Sequence, residues 1–141
     1  MELTTEELLD YAEREGYLHI PARAAQGVPA LSVRLPSGRC AWEVDESGLS
    51  SAEYRERAGH EIGHCATGSF YTRLSAPTTR EKCEETARRW SYRRLASPEA
   101  IAAAFTDGDR EAWQIAERLD VPERFVREAV RYYPDALGLL R

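Results

Sequence analysis

Apolar residues recur along this chain in two rhythms, and the rhythm changes after Val44. Leu8, Leu9 and Ala12 give a first helix one apolar side, Thr4 and Glu7 form a capping box at its start, and Gly16 is a natural stop. Residues 17–20 read as a short strand ended by Pro21, and residues 22–29 are small and loop-like. Leu31, Val33 and Leu35 alternate with polar neighbours, as do Cys40, Trp42 and Val44, with Pro36-Ser37-Gly38 supplying turn chemistry between them. Beyond Val44 the pattern is helical. Ser50 and Glu53 cap a helix to about residue 67 with Gly68 behind it, and Thr78 and Glu81 cap another to about residue 95. Ser97-Pro98-Glu99 opens a third through Phe105, and two more follow at about 110–119 and 122–133. The expected fold is α+β: a small N-terminal antiparallel sheet packed on a mainly helical body.

Composition narrows the class. The 141 residues suit a single domain spanning the chain, and 43% hydrophobic with 30% charged residues is the balance of a globular protein. No apolar run approaches the roughly 20 residues that span a bilayer, and the acidic start, Met1 to Glu7, is not that of a signal peptide. A cytoplasmic protein with no membrane partner is expected. The formal charge of −5, from 19 basic and 24 acidic side chains, disfavours nucleic acid as the main partner. Arg88, Arg89, Arg93 and Arg94 cluster, but glutamates precede them on the same helix, so they read as a solvated face. The odd number of cysteines (Cys40, Cys65 and Cys83) argues against a disulfide framework, and reduced thiols outside any metal shell are expected.

The chemistry lies at His60-Glu61-Ile62-Gly63-His64, an H-E-x-x-H sequence that takes two of the chain's three histidines. Residues four apart share a helix face, so both imidazoles can reach one metal ion. The glutamate flanks that face, where it can take a proton from water at the metal. At about 100° per residue, His64 falls near ~40° from His60, whereas Tyr54, Ala58, Ile62 and Cys65 form a separate apolar stripe at ~120–200°. The histidines are thus off the packing face. Gly59 and Gly63 form a third stripe. A mid-helix glycine costs about 1 kcal/mol against alanine, so the pair predicts the close approach of another backbone.

A catalytic zinc takes three protein ligands and keeps one position for water. No histidine follows His64, so the third ligand must be a carboxylate, and Glu81, Glu84 and Glu85 are on offer. Cys83, Ala87, Trp90, Ser91 and Leu95 mark the inner face of their helix, and Glu84 lies against it. Glu85 points with Lys82, Arg89 and Arg93 toward solvent. A carboxylate on an apolar face needs a partner, and Zn2+ is a fitting one. His60, His64 and Glu84 are the expected ligands and Glu61 the general base, with Tyr71 and Tyr92 as candidate oxyanion donors.

These residues carry a family resemblance. His60-Glu61-Ile62-Gly63-His64-Cys65, followed by Gly68-Ser69-Phe70-Tyr71, resembles the ImmA/IrrE family of metallo-endopeptidases of phages and mobile elements. Glu84-Glu85-Thr86-Ala87-Arg88-Arg89-Trp90 is similar to that family's E-x-x-A-x-x-[FW] helix, whose glutamate is the third zinc ligand. Ala116 to Val121 with Phe125-Val126 are similar to its helix-turn-helix-like C-terminal portion, here about residues 97–133. The likeness covers roughly residues 50–133; Pro122 departs from it, standing where a polar cap is more usual. The resemblance implies a zinc endopeptidase that cuts a helix-turn-helix transcriptional repressor at a specific site.

Three further expectations follow. An extended substrate can add to the edge of the hairpin, as peptides do at exposed strands. The alternative to an enzyme is a non-catalytic zinc-containing regulator that binds a repressor or DNA. Against DNA, Arg124, Arg127 and Arg131 on the last helix are interleaved with Glu123 and Glu128, whereas a major-groove helix wants its basic residues unopposed.

Overall fold

The structure, a computed structural model, describes residues 4–20 and 28–133. Its elements run α1 (Thr5–Arg14), β1 (Leu18–His19), β2 (Ala30–Arg34), β3 (Cys40–Val44), α2 (Ser51–Thr67), α3 (Pro77–Leu95), α4 (Pro98–Thr106), α5 (Ala112–Leu119) and α6 (Glu123–Tyr132). The fold is α+β. The loop read at residues 22–29 lies almost wholly outside the described residues. No helix among the described residues is long and apolar enough to cross a membrane.

The expected capping boxes of α1 and α2 are both closed. Thr4 Oγ1 accepts from the Glu7 backbone at 3.1 Å, and Ser50 Oγ accepts from the Glu53 backbone at 3.1 Å. The box expected from Thr78 and Glu81 does not form. Pro77 takes the first helical position of α3 instead, its fixed φ already helical, and Glu81 is left to pair with Arg88 at 2.8 Å. Ser97 caps α4 by accepting from Ala100 N at 3.1 Å.

The sheet is mixed rather than antiparallel, with order β1-β3-β2 and β1 parallel to β3. The connection over residues 20–29 is too long for a hairpin turn, so β1 and β2 are not bound to pair. The tight 36–38 turn makes β2 and β3 neighbours, and β1 takes the free edge of β3. All five residues of β3 are buried, Glu43 included, so the expected alternation of burial is lost in this central strand. Glu43 is satisfied there by Val44 N at 2.7 Å and by His19 Nε2 at 3.0 Å, and the His19 ring stacks on Trp42 at 4.1 Å.

The register moves one expected phase. Ser32 pairs with Trp42 and Arg34 with Cys40, so even-numbered residues of both strands share a face. That face meets α2. Leu31 and Val33 therefore lie on the opposite face, beside Ala41 and Glu43, and Val33 is 38% exposed.

Helix α2 is the centre of the packing. Its Ala58 and Ile62 are fully buried in a core that includes Trp42, Leu95, Ile101, Ile115 and Phe125. Its C-terminus is closed by Gly68 in the left-handed region (φ 67°), whose N–H reaches the His64 carbonyl.

Candidate metal centre

Helix α2 contributes the two imidazoles and α3 contributes Glu84. Their meeting depends on the glycine stripe. A Cβ on Gly63 would sit 2.9 Å from the Ala87 carbonyl oxygen, and one on Gly59 would sit 2.7 Å from Leu95 Cδ1. The close backbone approach expected from the sequence is thus real at Gly63, whereas Gly59 makes room for a side chain. Ala87, one turn from Glu84, is fully buried at the crossing. This contact sets the height of α3 beside α2, and with it the position of the carboxylate.

Glu84 Oε2 lies 2.5 Å from His60 Nε2 and 3.2 Å from His64 Nε2. One donor atom from each of the three residues falls within 4.8 Å of the others. Zinc bonds of about 2.0–2.2 Å in a tetrahedron space the donors by about 3.3–3.5 Å, so small side-chain rotations would seat an ion. The orientation of His64 supports that use. Its Nδ1 lies 2.6 Å from the Ser69 carbonyl, which can only accept, so Nδ1 carries a proton and Nε2 is the ring nitrogen turned toward Glu84. Gly68 makes this contact possible by turning the chain back over the helix end. Tyr71, in the same loop, donates its hydroxyl to Glu84 Oε1 at 2.6 Å, so only one carboxylate oxygen faces the imidazoles. The donor set fits a divalent cation such as zinc, with two imidazoles and one carboxylate.

Electrostatics follow from this crowding. Burial holds the His60 pKa down, against the hydrogen bond to Glu84. Burial also works to raise the Glu84 pKa, but hydrogen bonds from Tyr71 and His60 overcome it and bring the carboxyl to about 2. The same carboxylate, first by hydrogen bond, pushes the Tyr71 hydroxyl to about 12. The site therefore offers an ionised carboxylate and a neutral imidazole, the states a metal requires.

Glu61 stands beside this cluster, and burial raises its pKa. Its Oε1 accepts a hydrogen bond from Ser32 Oγ at 3.0 Å. Ser32 is the residue of the candidate site missed in the sequence, because alternation assigned it to the solvent phase of β2. The signal was present in the turn. A three-residue loop at 36–38 pairs residue 35 with 39, which puts Ser32 opposite Trp42 on the α2 side.

Comparison of the chain with protein-family models, curated proteins and solved structures finds no match. The chemistry rests on the residues themselves.

The other expected residues are placed as follows. Tyr71 is at the cluster, 40% exposed. Tyr92 is buried behind it and donates its hydroxyl to Glu128 Oε2 at 3.2 Å. Burial first, and then the Glu128 charge, lift its pKa to about 12. Glu81 and Glu85 pair with Arg88 and Arg89 on the outer face of α3, away from the imidazoles. The cysteine expectation needs correction. Cys65 does point away from the histidines, but it meets Cys40 of β3 and the two form a disulfide; Cys83 keeps its thiol. Both pairing positions lie on the facing surfaces of β3 and α2, a proximity that an odd cysteine count cannot reveal.

Two cavities open on the cluster. One, of about 260 Å³, lies on the sheet side between β2 and the 69–71 loop and reaches Glu61, His64 and Glu84. The other, of about 380 Å³, lies between α2, α3 and α6 and reaches His60 and Glu61. Glu61 belongs to both.

Proposed function

We propose that this chain is a zinc-dependent endopeptidase of the ImmA/IrrE kind, hydrolysing a peptide bond in a helix-turn-helix repressor of a phage or mobile element, in the cytoplasm. The observation that carries the reading is the convergence of His60 Nε2, His64 Nε2 and Glu84 Oε2 with Glu61 at their side. A purely structural zinc is usually closed by four protein ligands and gives a flanking carboxylate no task.

His60, His64 and Glu84 would hold the ion, with the Ser69 carbonyl and the Tyr71 hydroxyl orienting two of them. A zinc ion held there supplies Lewis-acid polarisation of a carbonyl and acidifies water. Ser32 holds Glu61 by one carboxylate oxygen, leaving the other to accept a proton from the attacking water and pass it to the departing amine. Of the two tyrosines Tyr71 is the one at the cluster; its hydroxyl donates its single proton to Glu84, as that of Tyr92 does to Glu128, so Tyr71 would serve an oxyanion only on leaving Glu84. A substrate strand laid along the free edge of β2 passes Ser32 and reaches Glu61. Pairing of Arg124 with Glu56 and Glu128, and of Arg127 with Glu123, supports a packing or partner-binding role for α6 over a DNA-reading one.

The test is Glu61→Gln. Glutamine keeps the size and can still accept from Ser32, but it cannot take a proton, so cleavage of a candidate repressor should fall by about 10²–10⁴ while zinc content stays at one per chain. Equal cleavage by both forms removes Glu61 from the mechanism. If neither form cuts and both bind the repressor equally, the non-catalytic regulator is the better account.

A further inference from the structure

The hairpin fixes which backbone groups of β2 are left for a partner. In an antiparallel pair, residues that exchange backbone bonds alternate with residues whose N–H and C=O point away. Leu35 N bonds to the Arg39 carbonyl at 2.8 Å and Asp45 N to the Pro29 carbonyl at 2.9 Å, so the odd-numbered residues of β2 bond toward β3. The backbone groups of Ala30, Ser32 and Arg34 therefore point outward, and no described residue bonds to them from that side. The same three residues carry their side chains on the α2 face, where Ser32 Oγ holds Glu61.

Arg34 is the charged residue of this edge. Its guanidinium lies over the Phe70 ring, 5.0 Å from the centroid, and its Nη2 lies 3.2 Å from where a Cβ on Gly68 would stand. These contacts place the group without using its donors, since Arg34 makes no hydrogen bond or ion pair among the described residues. Arg88 and Arg124, beyond Glu61, are by contrast each held by glutamate. A guanidinium stacked on a ring is pre-organised for a carboxylate and loses little freedom when bonds form.

We infer that Arg34 is a specificity-determining residue, receiving an aspartyl or glutamyl side chain two residues before the substrate residue that pairs with Ser32. The inference rests on the endopeptidase reading and names the chemistry of its substrate. Antiparallel addition gives Ser32 both of its bonds to one residue and is the more stable pairing. In that direction the residue opposite Arg34 precedes the one opposite Ser32 by two and shares its face. Opposite charges facing each other across a pair of strands stabilise it, and like charges do the reverse. The residue between the two points to the face of Val33, away from α2. Two residues of strand separate Arg34 from Ser32 by about 7 Å, which keeps the acidic guest clear of Glu61.

Tripeptide hydroxamates test this by binding alone, with no need for turnover. Zinc-loaded protein is titrated calorimetrically with acetohydroxamate and with acetyl-X-Ala-Ala and acetyl-Ala-X-Ala hydroxamates, X being glutamyl, glutaminyl or lysyl. The chelating group holds the last alanine beside Ser32, so X falls opposite Arg34 in the first series and on the other face in the second. In the first series glutamyl should bind about threefold or more tighter than glutaminyl, with lysyl weakest, and the difference should shrink at high salt. In the second series the three should agree within about twofold. Arg34→Glu, a change at an exposed side chain, should reverse the order in favour of lysyl. Arg57→Glu makes an equal charge change at an exposed residue on the other side of Glu61 and should leave the order in place. No glutamyl preference in the wild type, an equal preference in both series, or a ranking that survives Arg34→Glu overturns the inference while leaving the metal centre intact. Loss of the preference in Arg57→Glu as well would mean a diffuse field and no contact at Arg34, and overturns it too. If acetohydroxamate itself does not bind protein that carries its zinc, the open metal site fails, and the endopeptidase reading and the role of Arg34 fall together.

Discussion

Helix α2 is held on its two sides by different means. Toward α3 the contact is one of shape: Gly63 lets the Ala87 carbonyl lie against the helix, and Glu84 rides on that contact. Toward the sheet the contact is one of bonds: the Cys40–Cys65 disulfide and the Ser32–Glu61 hydrogen bond. Steric fit sets where Glu84 meets the imidazoles, and bonding holds Glu61 and β2. Changes on the α3 side should therefore register in metal affinity, and changes on the sheet side in stability or rate.

The largest expected effect is on the α3 side. Glu84→Ala should weaken zinc binding by roughly 100-fold or more in a chelator competition, while Glu81→Ala and Glu85→Ala stay near wild type. Loss of affinity in either neighbour and not in Glu84→Ala would mean the wrong carboxylate had been chosen.

On the sheet side, Cys40→Ser or Cys65→Ser should lower stability in urea by roughly 3–4 kcal/mol, since the bond closes a loop with a sequence separation of 25. Zinc affinity should change little. Thiol titration of unfolded, unreduced protein should find Cys83 alone, and a count of three would dissolve this half of the comparison.

Smaller effects separate the two glycines. Gly63→Ala drives a Cβ into a backbone carbonyl and should destabilise by about 1–3 kcal/mol, with some loss of zinc affinity as Glu84 is displaced. Gly59→Ala meets only the end of the Leu95 side chain, and the alanine's helical preference of about 1 kcal/mol offsets much of that strain. Equal destabilisation by the two would show that α3 does not depend on the close approach at Gly63.

The smallest effect is at the start of α2. Hydrogen bonds from Ser50, the backbone one first, hold the Glu53 carboxyl below its ordinary 4.5. A lowered folded pKa adds stability above the unfolded value that is lost as pH falls through the folded one. The stability gap between wild type and Glu53→Gln should thus be present at neutral pH and close progressively below about pH 4.5 in urea titrations. A gap that widens in acid would contradict the capping role.

Much of this was legible in the chain because it rested on local rules. The caps at Thr4, Ser50 and Ser97 and the grouping of two histidines on one face of α2 depend on residues within a turn of each other. Glu84 was reachable by one further step, from the apolar stripe of its helix. What could not be read in the same way is long-range: the parallel pairing of β1, the burial of Glu43, and the meeting of Cys40 with Cys65. Ser32 falls between these cases. Strand alternation alone pointed it outward, and combining alternation with loop length would have turned it inward.

Glu61 stands at the junction of the two cavities, and under the proposed endopeptidase activity that position bears on which proteins this centre would act upon. A segment must be drawn out straight to touch both, because a coiled segment keeps its backbone hydrogen bonds to itself and has none to offer β2. The free energy for a folded partner to release such a segment then enters the rate. Selection among partners would depend on how readily a region opens as well as on what it spells. A repressor whose susceptible stretch is tightened by an operator or a second subunit would be spared, and one that loosens would be cut.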